Sequence, residues 1–184
     1  FGGGFTVCSM LPIVLAAYRN GTKWGLLTGF VYAIVQMLLG FKPVSAFFMP
    51  GSDSYMVLWK AVCVCLIDYI IAYTVLGLGG IFRNKIKNPS VSLCVGSIFA
   101  LSLRYIAHII SGFIFFGTWA DWFFSQDGFT LGAKILEKFS GQGLAFLYSV
   151  IYNGLYMIPE IIITAIVALI IGRVPQISGR KNTK

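Results

Sequence analysis

The sequence predicts an all-α fold: a polytopic membrane helix bundle forming a single domain over residues 1–184. Three observations predict it. Hydrophobic residues make up 58% of the chain and charged residues only 11%, with a mean hydropathy of +0.84, whereas about a quarter of a soluble domain is charged. The apolar stretches are continuous rather than alternating, which argues against a β-barrel. Single ionisable residues stand isolated inside those stretches, where charge is costly and normally faces a bundle interior, a partner or a solute path.

Five spans follow in order. Residues 5–18 read as the first, short for a bilayer that needs about 20 apolar residues unless residues 1–4 extend it. Residues 24–41 read as the second, with Tyr32 and Gln36 on one helical face away from its ends. Residues 57–82, 90–116 and 144–171 read as the third, fourth and fifth, all ample and expected to tilt. Two long loops separate them. Residues 42–55 hold two prolines and a glycine. Residues 118–143 hold Trp119, Trp122 and the amphipathic stretch 131–139, which suits a membrane surface or a short extension of the bundle.

Loop charges set an expected orientation. Arg19, Lys23, Arg83, Lys85, Lys87, Arg173, Arg180, Lys181 and Lys184 fall on one side. Lys42, Lys60, Lys134 and Lys138 fall on the other, offset by Asp53, Asp121, Asp127 and Glu137. The positive-inside rule then puts the C-terminus, a basic tail over 175–184, in the cytoplasm of a multi-pass protein. With five spans Phe1 lies outside, and a further helix before it would return the chain to the cytoplasm. The net charge of +8 does not indicate nucleic acid, because the basic residues sit in short loops between apolar runs. No signal peptide is expected from the first residues. Cys8, Cys63, Cys65 and Cys94 lack metal-site or redox spacing and read as small buried hydrophobes. Neither a metal nor a cofactor is expected.

The candidate site comes from depth. Asp68 lies about 15 Å below the outer end of its span, His108 about 12 Å and Arg104 about 18 Å below theirs, and Tyr148 and Asn153 roughly 6–14 Å below the start of the last. Arg104, His108, Gly112 and Phe116 form one helical stripe. Each residue alone has a plainer reading: Asp68 paired with Lys60 or Arg104, Arg104 as a structural cation, His108 as a satisfied core histidine, Asn153 as an interhelical bond. Their shared depth favours a pocket open to the outside. Tyr32, Tyr69, Tyr105 and Tyr152, with Phe116, Trp119, Trp122 and Tyr148, add rings. Rings beside a carboxylate suit a flat ligand of cationic character. Glu160, deeper and next to Pro159, reads first as a helix-packing residue; Pro159 leaves the Leu155 carbonyl without its helical partner.

Three motifs carry a resemblance. Asp68-Tyr69, followed by an apolar stretch and Gly79-Gly80-Ile81-Phe82-Arg83, looks like an acidic-Tyr helix. Arg104-Tyr105-x-x-His108-x-x-x-Gly112 and Tyr148-Ser149-x-x-x-Asn153-Gly154 follow in order. Over about Pro12 to Val174 the chain resembles the thiamine-specific substrate-binding subunits (S-components) of bacterial energy-coupling-factor vitamin transporters. The resemblance implies a six-helix fold in the bacterial cell membrane that holds thiamine near the outer surface. It implies docking on a transmembrane coupling protein with two cytoplasmic ATPases, and no chemistry by the chain itself. It implies that Asp68 recognises the cationic or hydrogen-bonding part of thiamine, that His108 and Asn153 contact its rings, and that Tyr69 and Tyr148 line the site. Arg104 stands where lysine also occurs. Phe116 stands where a stacking tryptophan can occur, a part open to Trp119 or Trp122, and Tyr32 where another aromatic can occur. The family's first helix, which carries small docking residues, is expected to be missing from this stretch, and only residues 1–5 of the lid loop after it to remain. Two rival readings are the same fold for another flat vitamin or a thiamine precursor, and a proton-coupled carrier or membrane enzyme with Asp68, Arg104, His108 and Glu160 as a relay.

Overall fold

Helix follows helix along the whole described stretch. The structure, a computed structural model, describes residues 7–178, and side chains up to 176. The expected lid remnant at 1–5 and the tail from 179 onward lie outside the described residues. The helices are α1 (Leu11–Asn20), α2 (Thr22–Leu39), α3 (Phe41–Ala46), α4 (Leu58–Phe82), α5 (Pro89–Phe115), α6 (Ala120–Phe124), α7 (Gly132–Lys138), α8 (Gly141–Ile171) and α9 (Pro175–Ser178). Among the described residues there is no strand. Four helices, α2, α4, α5 and α8, are long and apolar enough to cross a membrane, and each begins and ends within a turn of its expected bounds.

The first expected span differs. It is the ten-residue α1, about 15 Å long, half the thickness of a hydrocarbon core. It does not line the outside: Val14, Ala17 and Tyr18 are fully buried. Gly21, at φ +102°, ends it and starts α2 directly. Its N–H returns to the Ala17 carbonyl at 2.9 Å, and that φ favours glycine. The loops also carry more structure than their prolines and glycines suggest: α3 falls inside the first, and the amphipathic 131–139 stretch becomes α7, packed on α6.

α4 is where the backbone departs furthest from a regular helix. It runs as α-helix to Val64, widens to a π-helix over Cys65–Ile71, and tightens to a 3-10 helix over Val75–Phe82. The tight part carries Gly77, Gly79 and Gly80. A Cβ on Gly77 would run into Leu26 and Gly25 of α2, and one on Gly79 or Gly80 into α5 or α1. Gly25, Gly29 and Ala33 form the matching small stripe on α2, so backbones meet where no side chain intervenes, the usual way helices associate in lipid. Asp68 sits in the wide part, a geometry common at functional sites.

α4 and α5 run antiparallel in a fixed register. Trp59 meets Phe115, Asp68 meets His108, Tyr73 meets Arg104, Gly79 meets Gly96, and Phe82 accepts from Ser92. Asn88 caps α5, its Oδ1 accepting from the Ser90 and Val91 N–H groups at 2.9 and 3.3 Å. α8 packs along the other side of α5, pinned by Tyr105 Oη donating to the Val150 carbonyl and Ser149 Oγ to the Ile109 carbonyl, both at 2.7 Å. Outward-facing apolar residues cover the bundle: Ile106, Ile110 and Ile114 on α5, and Leu155, Ile158, Ile162 and Ile166 on α8. Stripes this large do not belong in water.

Candidate functional site

The register of α4 and α5 sets Asp68 against His108. His108 Nδ1 lies 2.8 Å from Asp68 Oδ1, with the two side chains 11% and 19% exposed. The second carboxylate oxygen accepts from Ser111 Oγ at 2.6 Å. Ser111 sits one turn from His108 and is itself fully buried. Burying a carboxylate is costly unless hydrogen-bond partners such as these satisfy it.

α8 closes the constellation from the other side. Asn153 Nδ2 donates to the His108 carbonyl at 3.2 Å and to the Ser149 carbonyl at 2.9 Å, while its Oδ1 accepts from Tyr156 Oη. Gly112 is what lets the helices come this close. A Cβ there would collide with Ser149 Oγ and stand 3.1 Å from Asn153 Nδ2.

Arg104 is 8% exposed and one turn deeper than His108. The structure does not pair it with Asp68, nor Asp68 with Lys60: the carboxylate is taken by His108 and Ser111. The guanidinium carbon lies over the Tyr73 ring, 4.7 Å from its centroid, a cation–π placement. Arg104 Nε and Nη1, and His108 Nε2, are buried with no hydrogen-bond partner among the described residues. Buried polar atoms are rarely left so, and Arg104 and His108 stand one turn apart on α5, Arg104 over Tyr73 and His108 6.2 Å from Tyr156. Glu160 is buried, 1% exposed, and lies within electrostatic reach of Tyr73.

Two sets of rings flank these atoms. On one side Tyr32 of α2 meets Tyr73 edge-on at 5.1 Å, and Tyr69 lies 6.5 Å from Tyr73. On the other, Tyr148, Tyr152 and Tyr156 recur every four residues along α8. Tyr148 stacks on Tyr152 at 5.5 Å, Tyr152 meets Tyr156 at 6.2 Å, and Tyr156 meets His108 at 6.2 Å. Tyr148 thus belongs to the upper end of this ladder, against Phe123 at 5.4 Å. Phe116 lies beside Phe47 at 6.2 Å, and Trp119 edge-on to Trp122 at 6.1 Å. An open cavity of about 500 Å3 between Phe113, Gly117, Asp121 and Gln142 includes none of the expected site residues.

Ser111, Tyr73 and Tyr156 were not legible as site residues. Each had a signal of spacing only: Ser111 three residues from His108, Tyr156 three from Asn153, Tyr73 four from Tyr69. Helical neighbours at these distances share a face.

A polar, aromatic-walled cluster enclosed by four helices long and apolar enough to cross a membrane is the arrangement of a membrane protein with a polar interior. The chain belongs to the thiamine transporter protein family, whose family model matches residues 1–125. It is 32% identical over 178 residues to the thiamine transporter ThiT of Bacillus subtilis (strain 168), an alignment covering 90% of this chain and 73% of that protein. Thiamine uptake across a membrane is accordingly its function.

Proposed function

We propose that the chain is the substrate-capture subunit of an energy-coupling-factor transporter and binds thiamine between the Asp68–His108–Ser111 group of α4 and α5 and the Asn153–Tyr156 group of α8. The observation that carries this reading is the set of orphaned buried atoms, Arg104 Nε and Nη1 with His108 Nε2, beside a carboxylate and two walls of tyrosine rings. Thiamine joins a cationic thiazolium to a neutral aminopyrimidine. The carboxylate and the ring faces suit the cation and the amino group. The free N–H groups suit ring nitrogens. Tyr32, Tyr69 and Tyr148 then line the site, and Phe116 and Trp119 belong to the loop above it.

Energy comes from partners in this reading: a transmembrane coupling protein and two cytoplasmic ATPases, with the basic end of the bundle and the C-terminus in the cytoplasm of a bacterial cell. The chain does no chemistry of its own. Ser111 and His108 both turn to Asp68, whereas an activated serine donates to histidine, so the arrangement suits holding a charge rather than making a nucleophile. A titration of the detergent-purified protein with thiamine, followed by tryptophan fluorescence without nucleotide or proton gradient, tests the reading. Saturable binding is expected. No binding under these conditions, with uptake that follows a proton gradient, would instead favour a proton-coupled carrier.

A further inference from the structure

Arg104 poses a physical problem that its neighbours answer in an unusual way. A buried guanidinium ordinarily takes a carboxylate in a two-pronged bond. Here the nearest acid on the facing helix is already held by His108 and Ser111. What meets Arg104 is the Tyr73 ring face, 4.7 Å from the guanidinium carbon. A ring face attracts the cation without consuming its in-plane N–H groups, and two of the nitrogens, Nε and Nη1, remain buried without acceptors. Tyr73 is itself braced by Tyr32 edge-on and by Tyr69 on the preceding turn, so the face it offers is fixed by α2 and α4 together.

We propose that Tyr73 is a positioning residue for recognition: it carries the Arg104 guanidinium on its face so that Nε–H and Nη1–H are kept for hydrogen-bond acceptors on a neutral ring of the ligand. This rests on the reading that thiamine binds at this site. It gives the site a means of discrimination that the carboxylate lacks. Asp68 attracts any cation, while unspent donors on a buried arginine reject a ligand that cannot accept from them, because they are then left unpaired in a dry place. A lysine in place of Arg104 would lose the planar guanidinium and its fixed fork of donors.

The test compares two ligands: thiamine, and an analogue whose aminopyrimidine is replaced by an aminophenyl ring, which keeps the cation and the amino group but has no ring nitrogen. The unsubstituted protein should prefer thiamine by roughly tenfold or more. Tyr73→Phe keeps the face and should keep the preference. Tyr73→Leu should weaken thiamine by roughly tenfold while leaving the analogue nearly unchanged, so that the preference collapses. Loss of the same factor for both ligands would mean general damage and would overturn the positioning role. Where Tyr73→Leu does not fold, a series of increasingly fluorinated phenylalanines at position 73 keeps the shape and empties the ring face stepwise. Thiamine affinity should fall with each fluorine, and a flat series would overturn the proposal. Failure of the unsubstituted protein to bind thiamine would remove the parent reading and this one with it, whereas normal binding with an unaffected Tyr73→Leu removes this one alone.

Discussion

At the scale of single residues the site is an exchange of partners. Asp68 is held at 2.8 Å by His108 and at 2.6 Å by Ser111, and a cationic ligand can reach it only by sharing or displacing one of them. Asp68→Asn keeps the shape and much of the hydrogen bonding but removes the charge. Truncating one side of a buried, hydrogen-bonded charge pair costs about 2–5 kcal/mol, so thiamine affinity should drop at least tenfold by fluorescence or calorimetric titration. Unchanged affinity in a folded variant would make the pair with His108 purely structural. The ionisable residues were legible from their rarity: an acid, an arginine and a histidine in otherwise apolar runs stand out in any reading of the sequence. Their partners were not. Charge alone favours Arg104 for Asp68. What decides otherwise is register, since Trp59 against Phe115 and Gly79 against Gly96 bring His108 level with Asp68 and leave Arg104 level with Tyr73. Register is set by contacts far along the helices, and local sequence does not contain it.

At the scale of elements, the spans were legible almost to the turn because hydropathy runs decide them, and α1 was not, because its apolar character serves protein rather than lipid. The π and 3-10 segments of α4 were equally hidden: nothing in Cys65–Ile71 demands a wider helix. The glycines at 77, 79 and 80 acquire meaning only against the backbones they meet. Two glycine substitutions separate these roles. Gly77→Ala puts a methyl onto the Leu26 and Gly25 backbone, which cannot rotate away. It should lower thermal stability in detergent by about 1–3 kcal/mol, with thiamine affinity of the folded fraction little changed. Gly112→Ala meets a side chain instead, Ser149 Oγ, with Asn153 Nδ2 at 3.1 Å. It should displace Asn153 and lower affinity as well as stability. Equal effects of the two on binding would show that the α5–α8 contact is scaffold and not site.

At the scale of the whole molecule, the bundle has two unlike ends. Arg19, Lys23, Arg83, Lys85, Lys87 and Arg173 gather at the end where α1, α4 and α8 finish, and α3, α6 and α7 gather at the other. With the basic end in the cytoplasm, a single cysteine at Asn84 in a cysteine-free background should react with a membrane-impermeant maleimide only after cells are opened. One at Ser54 should react in intact cells. The reverse pattern would turn the protein over and place the entrance on the inside. The buried α1 has a different consequence, one of biosynthesis. Of its ten residues Pro12 is exposed and Leu15, Ala16, Arg19 and Asn20 are half-buried, so it has little surface to offer acyl chains, and its length spans about half of the hydrocarbon core. Insertion machinery sorts segments by apolarity over a full crossing, and α1 does not meet that standard. It packs chiefly against α2, α4 and α5, all of them later in the chain, so its burial waits on segments made after it.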